Sequence, residues 1–247
     1  PPGEFLMGST DEDRARLLEE AKAANDKWAI EWIPSEGPQH RVRITRPFYL
    51  GKCEVTQAQW EAVMGKHQWL TELTTGDNEM RGPTKAMNVL SWNDCQAFVS
   101  TLQEKTSGSL HSAVVAQTDC EGQFTLPTEA QWEYACRAGS TTEFHFGDDE
   151  SQMDEHAFYE GNMNWPGKPG FRGKAFYHDV GQKKPNAFEL YDMHGGAWEW
   201  CADYYDKDYY VNSPLVDPTG PESGRFRTLR GVTGEGPVAC MPIAENC

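Results

Sequence analysis

Polar and apolar positions follow helical spacing in three parts of this chain, and each part begins with the same kind of polar signal. Thr56 and Thr128 are each followed three residues later by a glutamine and then by a tryptophan. This arrangement predicts a capping box, in which the threonine hydroxyl and the glutamine side chain each accept a backbone hydrogen bond at the helix start. Ser91 with Asp94 is a looser version, with an acidic group near the positive end of the helix dipole. The predicted helices cover about 57–64, 92–104 and 129–137, with glycines at or near their ends at Gly65, Gly108 and Gly139.

Strand patterns are shorter. Alternating apolar and polar residues predict strands at 41–46, 48–55, 197–203 and 225–230. The charged, alanine-rich run Asp11–Lys27 predicts a further helix. Residues 140–189 show no sustained period, so we expect irregular structure there.

Composition favours one loop-rich domain of the α+β class. The 247 residues include nine Trp, 23 Gly and 15 Pro, whereas aliphatic runs are short. Large aromatic anchors and frequent turns suit a fold with little regular secondary structure. No linker-like segment divides the chain, so we expect a single domain over 1–247. Its core is expected to contain Trp60, Trp92, Trp132, Trp198 and Trp200.

The net charge of −16 narrows the classes of partner. It argues against nucleic acid, which requires clustered lysine and arginine, and against adsorption to anionic membranes. No apolar run approaches the length that spans a bilayer, so we expect no membrane insertion. The chain starts at Pro1, and a bacterial cytoplasmic or an extracytoplasmic location both remain open because no signal peptide is visible.

Cysteine and histidine spacing gives no recognisable metal or catalytic motif. The seven cysteines are an odd number without a C-x-x-C pair, which excludes a zinc-ribbon pattern, and most are expected to be small buried hydrophobes. The histidines show neither H-x-H nor H-x-x-x-H spacing. We expect His194, which lies within a glycine-containing turn, to face solvent.

The segment Leu190–Trp200, LYDMHGGAWEW, concentrates the candidate chemistry. Asp192 and Glu199 are hard oxygen donors on either side of a turn whose glycines allow the carbonyls of Gly195 and Ala197 to turn inward. Two carboxylates with inward carbonyls suit Ca²⁺, which takes six to eight oxygen ligands. From the spacing alone, a turn that enters a strand with an exposed acid is an equal alternative.

This segment resembles the N-x-x-G-N-x-W-E-W signature of the formylglycine-generating enzyme (sulfatase-modifying factor) family. Further blocks, in the family order, are PPGEFLMGS at the start, EGPQHRVRITRPFYLGKCEVTQAQW from Glu36, SWNDCQAF from Ser91 and FTLPTEAQWEYACRAG from Phe124. The resemblance implies a variant of the C-type lectin fold, in which loops replace much of the regular secondary structure. It also implies that Asp11–Lys27 is an exposed insertion, because the family has a short loop there.

The resemblance implies specific calcium ligands. Carried over residue by residue, they are Asp192, the carbonyls of Gly195 and Ala197, and Glu199. Asp192 stands where the family usually has asparagine, which keeps an oxygen donor. A second family calcium site would begin at Asn162, but its downstream carboxylate falls at Lys174, which cannot coordinate a cation, so Asn162 is equally well interpreted as a turn former.

The end of the chain departs from the family pattern. Family oxidases bind Cu(I) through a C-x4-C pair of thiolates shortly after R-G-G-S. This chain reaches Arg230-Gly231 and then reads VTGEGPVACMPIAENC, so Cys240 and Cys247 are seven apart. The region from about 231 is therefore atypical for the family. Loss of one nucleotide in the coding sequence, truncation and genuine divergence would each explain this. In the resemblance Cys136 matches a cysteine that can pair near the C-terminus, but that partner region is not recognisable here.

Three functions follow from the resemblance. The first is a calcium-stabilised, lectin-like module that binds a protein or peptide ligand, or an inactive paralogue. The alternative is a formylglycine-generating oxidase that converts a sulfatase cysteine to formylglycine with O₂ and Cu(I). A non-haem-iron oxidase of thiol-histidine biosynthesis ranks last, because its usual H-x-x-x-H-E cluster is absent.

Overall fold

A computed structural model describes residues 1–68, 81–106, 122–159, 162 and 178–231, together with the backbone of a strand at 241–244. Predictions that concern Gly108, Cys120, Lys174, Cys240 and Cys247 lie outside this part of the chain. The described elements mix helices of 4 to 15 residues with two small antiparallel sheets. None of the helices in the described ranges is long and apolar enough to cross a membrane.

Two separate sheets are present in the described part of the chain. The first pairs β1 (Gly3–Met7) with β2 (His40–Ile44), in a register that places Met7 opposite His40. The second has the order β3 (Glu199–Tyr204), β4 (Phe226–Arg230) and β5 (Met241–Ala244), all antiparallel, with a register shift within the β3–β4 pair. The predicted strands at 41–46, 197–203 and 225–230 are therefore confirmed within two residues, whereas β1 and β5 were not predicted.

The helices are short. They are α1 (Asp11–Ala24), α2 (Lys27–Trp32), α3 (Gln57–Met64), α4 (Trp92–Thr106), α5 (Glu129–Arg137), α6 (Met153–His156) and α7 (Tyr209–Asn212), with 3₁₀ turns at Ile33–Glu36 and Glu150–Gln152. Complete capping boxes open α3 and α5, and Ser91 and Asp94 exchange the equivalent bonds before α4. Gly65 ends α3 as expected, but Ala138 in the left-handed conformation ends α5, one residue before Gly139.

The predicted strand at 48–55 is wrong. This segment forms isolated backbone hydrogen bonds with two different segments and no continuous ladder with either. Lys52 O accepts from Tyr191 N at 2.8 Å, and Val55 O accepts from Met87 N at 2.8 Å. Alternation shows that alternate side chains are buried, but it cannot distinguish a strand from an extended connector that has no continuous partner.

The core lies around α5. Trp132 is fully buried among Ala135, Cys136 and Cys201, and Phe48 and Phe188 join this cluster to a second one that lies against β1 and β2. Trp60 is buried in a third cluster with Phe98. Trp92 and Trp200 are half-buried, with their ring nitrogens donating to backbone carbonyls. The placement of Trp198 in the core is wrong, since it is 36% exposed.

The insertion at Asp11–Lys27 forms a helix, as predicted, and one face of this helix is buried while the rest is exposed. Leu17 and Ala21 of α1 are buried against Ile33, which gives the insertion a small apolar cluster of its own. Arg16 reaches across to Glu143 at 2.7 Å. The insertion therefore packs on itself and touches the 140–150 region.

Candidate functional site

The segment between Asp192 and Glu199 turns back sharply between the core and strand β3. Asp192 has a φ of 60° and is 1% exposed, which places its carboxylate inside the protein. The turn packs directly on backbone, since Gly196 N donates to Phe158 O at 2.9 Å and a Cβ on Gly195 would stand 2.2 Å from that oxygen. No larger residue than glycine fits at position 195 without displacing this contact.

One Asp192 oxygen is used in the structure and the other is not. Oδ2 accepts a hydrogen bond from Gly181 N at 2.6 Å. Oδ1 is buried and has no hydrogen-bond partner among the described residues. A buried carboxylate oxygen without a donor is costly, so it marks a place where a positive group or a cation would be stabilised.

Glu199 lies at the start of β3, on the other side of the turn. Its Oε2 accepts from Trp132 Nε1 at 3.1 Å. Burial, together with the negative charge of Asp192, raises the pKa of Glu199 to about 7, while the hydrogen bond from Trp132 opposes the shift. The charge of Asp192 therefore acts on the ionisation of Glu199, the other carboxylate predicted from sequence.

A third carboxylate, Glu54, joins them and was not predicted. Its Oε1 accepts from Ala197 N at 3.2 Å, whereas its buried Oε2 has no partner among the described residues. Burial raises the pKa of Glu54 well above its ordinary value, and Glu199 and Asp192 raise it further. Glu54 is far from the 190–200 segment in sequence, and the only local signal was an acidic residue just before a capped helix.

Backbone oxygen is also available at the turn. The Ala197 carbonyl oxygen and Glu199 Oε1 lie 2.8 and 3.7 Å from the point where a Cβ on Gly231 would stand. The described residues contain no group of three or more His, Cys, Asp or Glu side chains that could hold a metal ion by themselves. A cation here would therefore need carbonyl oxygens or water as well, as calcium coordination usually does.

The residues at this turn fit a hard divalent cation. All the candidate donors are oxygens, and two buried carboxylate oxygens, Asp192 Oδ1 and Glu54 Oε2, have no hydrogen-bond partner among the described residues. A divalent ion would offset the negative charges that raise the pKa of Glu54 and of Glu199. These features suit Ca²⁺ better than softer metals, which prefer thiolate or imidazole.

The side chain of Asn162 forms hydrogen bonds with residues nearby in sequence. Its Oδ1 accepts from Tyr159 N at 2.9 Å, and its Nδ2 donates to Ala157 O and to Asp154 Oδ1. This is the pattern of a turn-forming asparagine. A role as ligand to a second calcium ion would require the side chain to leave these partners, and that role stays a prediction.

The expectation that His194 faces solvent is wrong. It is 2% exposed, and its Nε2 accepts from the backbone N–H of His145 at 3.1 Å, which fixes the proton of the neutral ring on Nδ1. Burial, with added repulsion from His145, keeps its pKa well below the ordinary value. Phe144 packs edge-on against the ring, so His194 is a structural residue that anchors the turn from inside.

The described cysteines are free thiols with raised pKa values. Cys53, Cys95, Cys136 and Cys201 are all free thiols, and the last two are buried in the core around Trp132. Burial raises the pKa of Cys53 to about 11 and that of Cys95 to about 12. Burial also raises the pKa of both core cysteines.

Behind the turn, a buried ionic network ties α5 to β4. Arg230 is 2% exposed and donates to Glu129 Oε1, to Glu133 Oε2 and to the Tyr210 hydroxyl, at 2.8 to 3.0 Å. Burial alone would raise the pKa of Glu133, but Arg137 and Arg230 lower it below its ordinary value. This network holds the last residue of β4 beside the start of β3, where Arg230 is paired with Glu199.

Comparison with known proteins gives a consistent family. A family model described as the sulfatase-modifying factor enzyme 1-like domain matches residues 1–244. The formylglycine-generating enzyme of Streptomyces coelicolor is 30% identical over 178 residues, which cover 70% of this chain and 49% of that protein. The formylglycine-generating enzyme of Mus musculus is 34% identical over 275 residues, which cover 94% of this chain and 64% of that protein. The chain thus spans about half the length of the Streptomyces relative.

A solved structure shares the architecture. Treponema denticola variable protein 1 superposes with a TM-score of 0.69 and 22% sequence identity, covering 99% of this chain and 88% of that one. At this identity the likeness concerns the fold alone. The fold implied by the sequence resemblance, a mixed α+β architecture with little regular secondary structure, is confirmed.

Proposed function

This chain belongs to the sulfatase-modifying factor enzyme 1-like domain family, and on that premise we propose that it is a calcium-stabilised, lectin-like module that binds a protein or peptide ligand. The observation that carries the calcium part is the group formed by Glu54, Asp192 and Glu199, in which two buried carboxylate oxygens lack donors. Calcium would be held by these side chains together with the carbonyls of Gly195 and Ala197.

The ion would act on the shape of the turn. Bound calcium supplies positive charge that offsets the repulsion among the three carboxylates. Glu54 then links the end of the connector at 48–55 to the turn through Ala197 N, Asp192 holds the turn to Gly181, and Glu199 holds it to Trp132 of α5. The turn would be fixed from three sides, which suits a rigid display surface.

A binding role is favoured by the surface beside this turn. Trp198 lies between two of the proposed ligands and exposes 36% of its surface. Exposed tryptophan is enriched among the residues that contribute most to protein–protein binding. A calcium-fixed turn would present this side chain in one position, which lowers the ordering cost of binding.

The alternative is the oxidase activity named for several relatives. It requires a pair of thiolates for Cu(I), and the four described cysteines are free thiols, two of which, Cys136 and Cys201, are buried in the core. The spacing of Cys240 and Cys247 also differs from the C-x4-C pair of the family. These observations favour a binding module or an inactive paralogue over the oxidase.

Calcium titration tests the proposal. Binding to the folded state alone stabilises by RT ln(1 + [L]/Kd), about 2.7 kcal/mol at a hundredfold excess over Kd, so calcium should raise the melting temperature by roughly 5–10 °C. Chelation should reverse the shift. Asp192→Ala and Glu199→Ala should abolish it, whereas Asp208→Ala, an exposed acid outside the turn, should keep it. If neither calcium nor chelator changes the melting temperature of the parent protein, the calcium site is refuted.

The oxidase alternative has its own test. The reduced chain is titrated with Cu(I) against a competing chelator and then assayed with O₂ on a peptide that contains Cys-x-Pro-x-Arg. We expect no stoichiometric copper binding and no aldehyde product, and Cys240→Ser should therefore change neither result. Tight copper binding with peptide oxidation would establish the oxidase instead.

A further inference from the structure

The end of strand β4 comes very close to the turn that carries the calcium ligands. We infer that Gly231 is a positioning residue of this site, because the space left by its missing side chain allows the Ala197 carbonyl to lie where it does. This inference rests on the proposed function and adds to it a residue that contributes no ligand atom of its own.

The contact geometry leaves no room for a side chain. A Cβ on Gly231 would stand 2.8 Å from Ala197 O, and 3.7 Å from both Cγ and Oε1 of Glu199. The nearest atom belongs to backbone, so it cannot move aside by a change of rotamer. The carbonyl, which is one of the proposed ligands, would have to move with the turn.

Gly231 itself cannot easily retreat. The preceding residue, Arg230, is buried and bonded to Glu129, Glu133 and Tyr210. It is also paired with Glu199 across the β3–β4 ladder. Because helix α5 and helix α7 both hold Arg230, an added methyl group at 231 would displace the calcium turn before it displaced β4.

Another glycine separates this effect from general backbone strain. Gly231 has a φ of 111° and Gly65 a φ of 80°, so alanine is strained at both positions. A Cβ on Gly65, however, would meet nothing within 4 Å. Gly65→Ala therefore carries a similar conformational penalty without the contact on a ligand.

The experiment compares calcium affinity in the full chain. Parent, Gly231→Ala and Gly65→Ala proteins are titrated with calcium, by calorimetry and by melting temperature, after circular dichroism has confirmed that each is folded. We expect Gly231→Ala to weaken calcium binding at least tenfold and Gly65→Ala to stay within twofold of the parent. If Gly231→Ala is poorly folded, all three proteins are titrated again in a stabilising osmolyte, where the same ratios are expected.

The outcomes separate the two proposals. Parent protein that binds calcium, with Gly231→Ala and Gly65→Ala equal in affinity, would overturn the role of Gly231 and leave the calcium site intact. Parent protein that binds no calcium would overturn the proposed site and, with it, this inference.

Discussion

The ionisation of Glu36 depends strongly on the buried position of its side chain. It is 5% exposed, and its Oε2 accepts a hydrogen bond from the Ser9 hydroxyl at 3.1 Å. Burial raises the pKa of Glu36 to about 8, with Glu133 adding to the shift and Arg230 and Arg14 opposing it. The folded state therefore favours the protonated carboxyl over most of the physiological range.

Replacing Glu36 by glutamine should alter the pH dependence of stability. With a folded pKa above the unfolded value, the contribution of Glu36 is complete below about pH 4.5 and is lost as pH rises through about 8. In that window one such group lowers the free energy of unfolding by at most about 1.4 kcal/mol per pH unit. Glu36→Gln should remove this slope, as measured by urea unfolding between pH 5 and 8.5.

The comparison protein for this measurement is Glu19→Gln, since Glu19 is an exposed acid that pairs with Lys22. Glu199 and Asp203 also have pKa values raised to about 7, so the parent curve includes their contributions. The difference between the parent and Glu36→Gln isolates Glu36. Parallel curves for the two proteins would show that this carboxyl does not titrate in the window.

Sequence identified some site residues and missed others for a physical reason. Asp192 and Glu199 share one turn, so local spacing brought them together. Glu54 reaches the same turn through tertiary folding alone, and no local pattern records that. The burial of His194 was missed because flanking glycines suggest an exposed turn, whereas here the turn folds inward against Phe144.

At the scale of secondary structure, the three helices that begin with a capping signal were all predicted, and of the four strands predicted from alternation only the one at 48–55 was wrong. The bounds of α3 and α5 follow from hydrogen bonds between residues three apart, which sequence displays directly. The strand expected at 48–55 and the unpredicted β1 depend on which distant segment lies alongside. Pairing of that kind is decided by the whole fold, so it could not be read from the segment itself.

The cap of α5 should contribute measurably to stability. The Thr128 hydroxyl accepts from Gln131 N at 3.2 Å, and Gln131 Oε1 accepts from Thr128 N at 2.9 Å. Thr128→Ala should lower the free energy of unfolding by about 1 kcal/mol, the usual value of an N-terminal cap. Thr128→Ser, which keeps the hydroxyl, should recover most of it in the same denaturant titration. Equal losses in both variants would mean that the threonine methyl, and not the cap, matters.

For the whole molecule, net charge is the property that can be calculated most directly from the sequence. A net charge of −16 opposes the compact state through self-repulsion. Its fold, by contrast, followed from resemblance to a family, because residues 140–189 have no periodic pattern from which an architecture could be built. The buried Arg230 network was likewise invisible, since its members come from three separate parts of the chain.

Salt should therefore stabilise the chain when calcium is held constant at saturation. Raising NaCl from about 0.02 to 0.3 M shortens the screening length severalfold, and we expect the melting temperature to rise by roughly 2–4 °C, which corresponds to about 1 kcal/mol. KCl should give the same curve, and sucrose at matched osmolality serves as the uncharged control. A melting temperature that falls with salt would mean that ion pairs outweigh the overall repulsion.

The insertion that carries α1 and α2 is closed at its base. Ser9 N donates to Glu36 O at 2.8 Å, and just beyond that bond β1 and β2 hold Met7 opposite His40. The insertion also has its own apolar cluster, so its length and sequence can drift without shifting the register of the strands below. The insertion is therefore a suitable site for peptide grafting. A foreign peptide inserted at the exposed position between Asn25 and Asp26 would be displayed on the surface, while the base of the insertion stays closed by the existing hydrogen bonds.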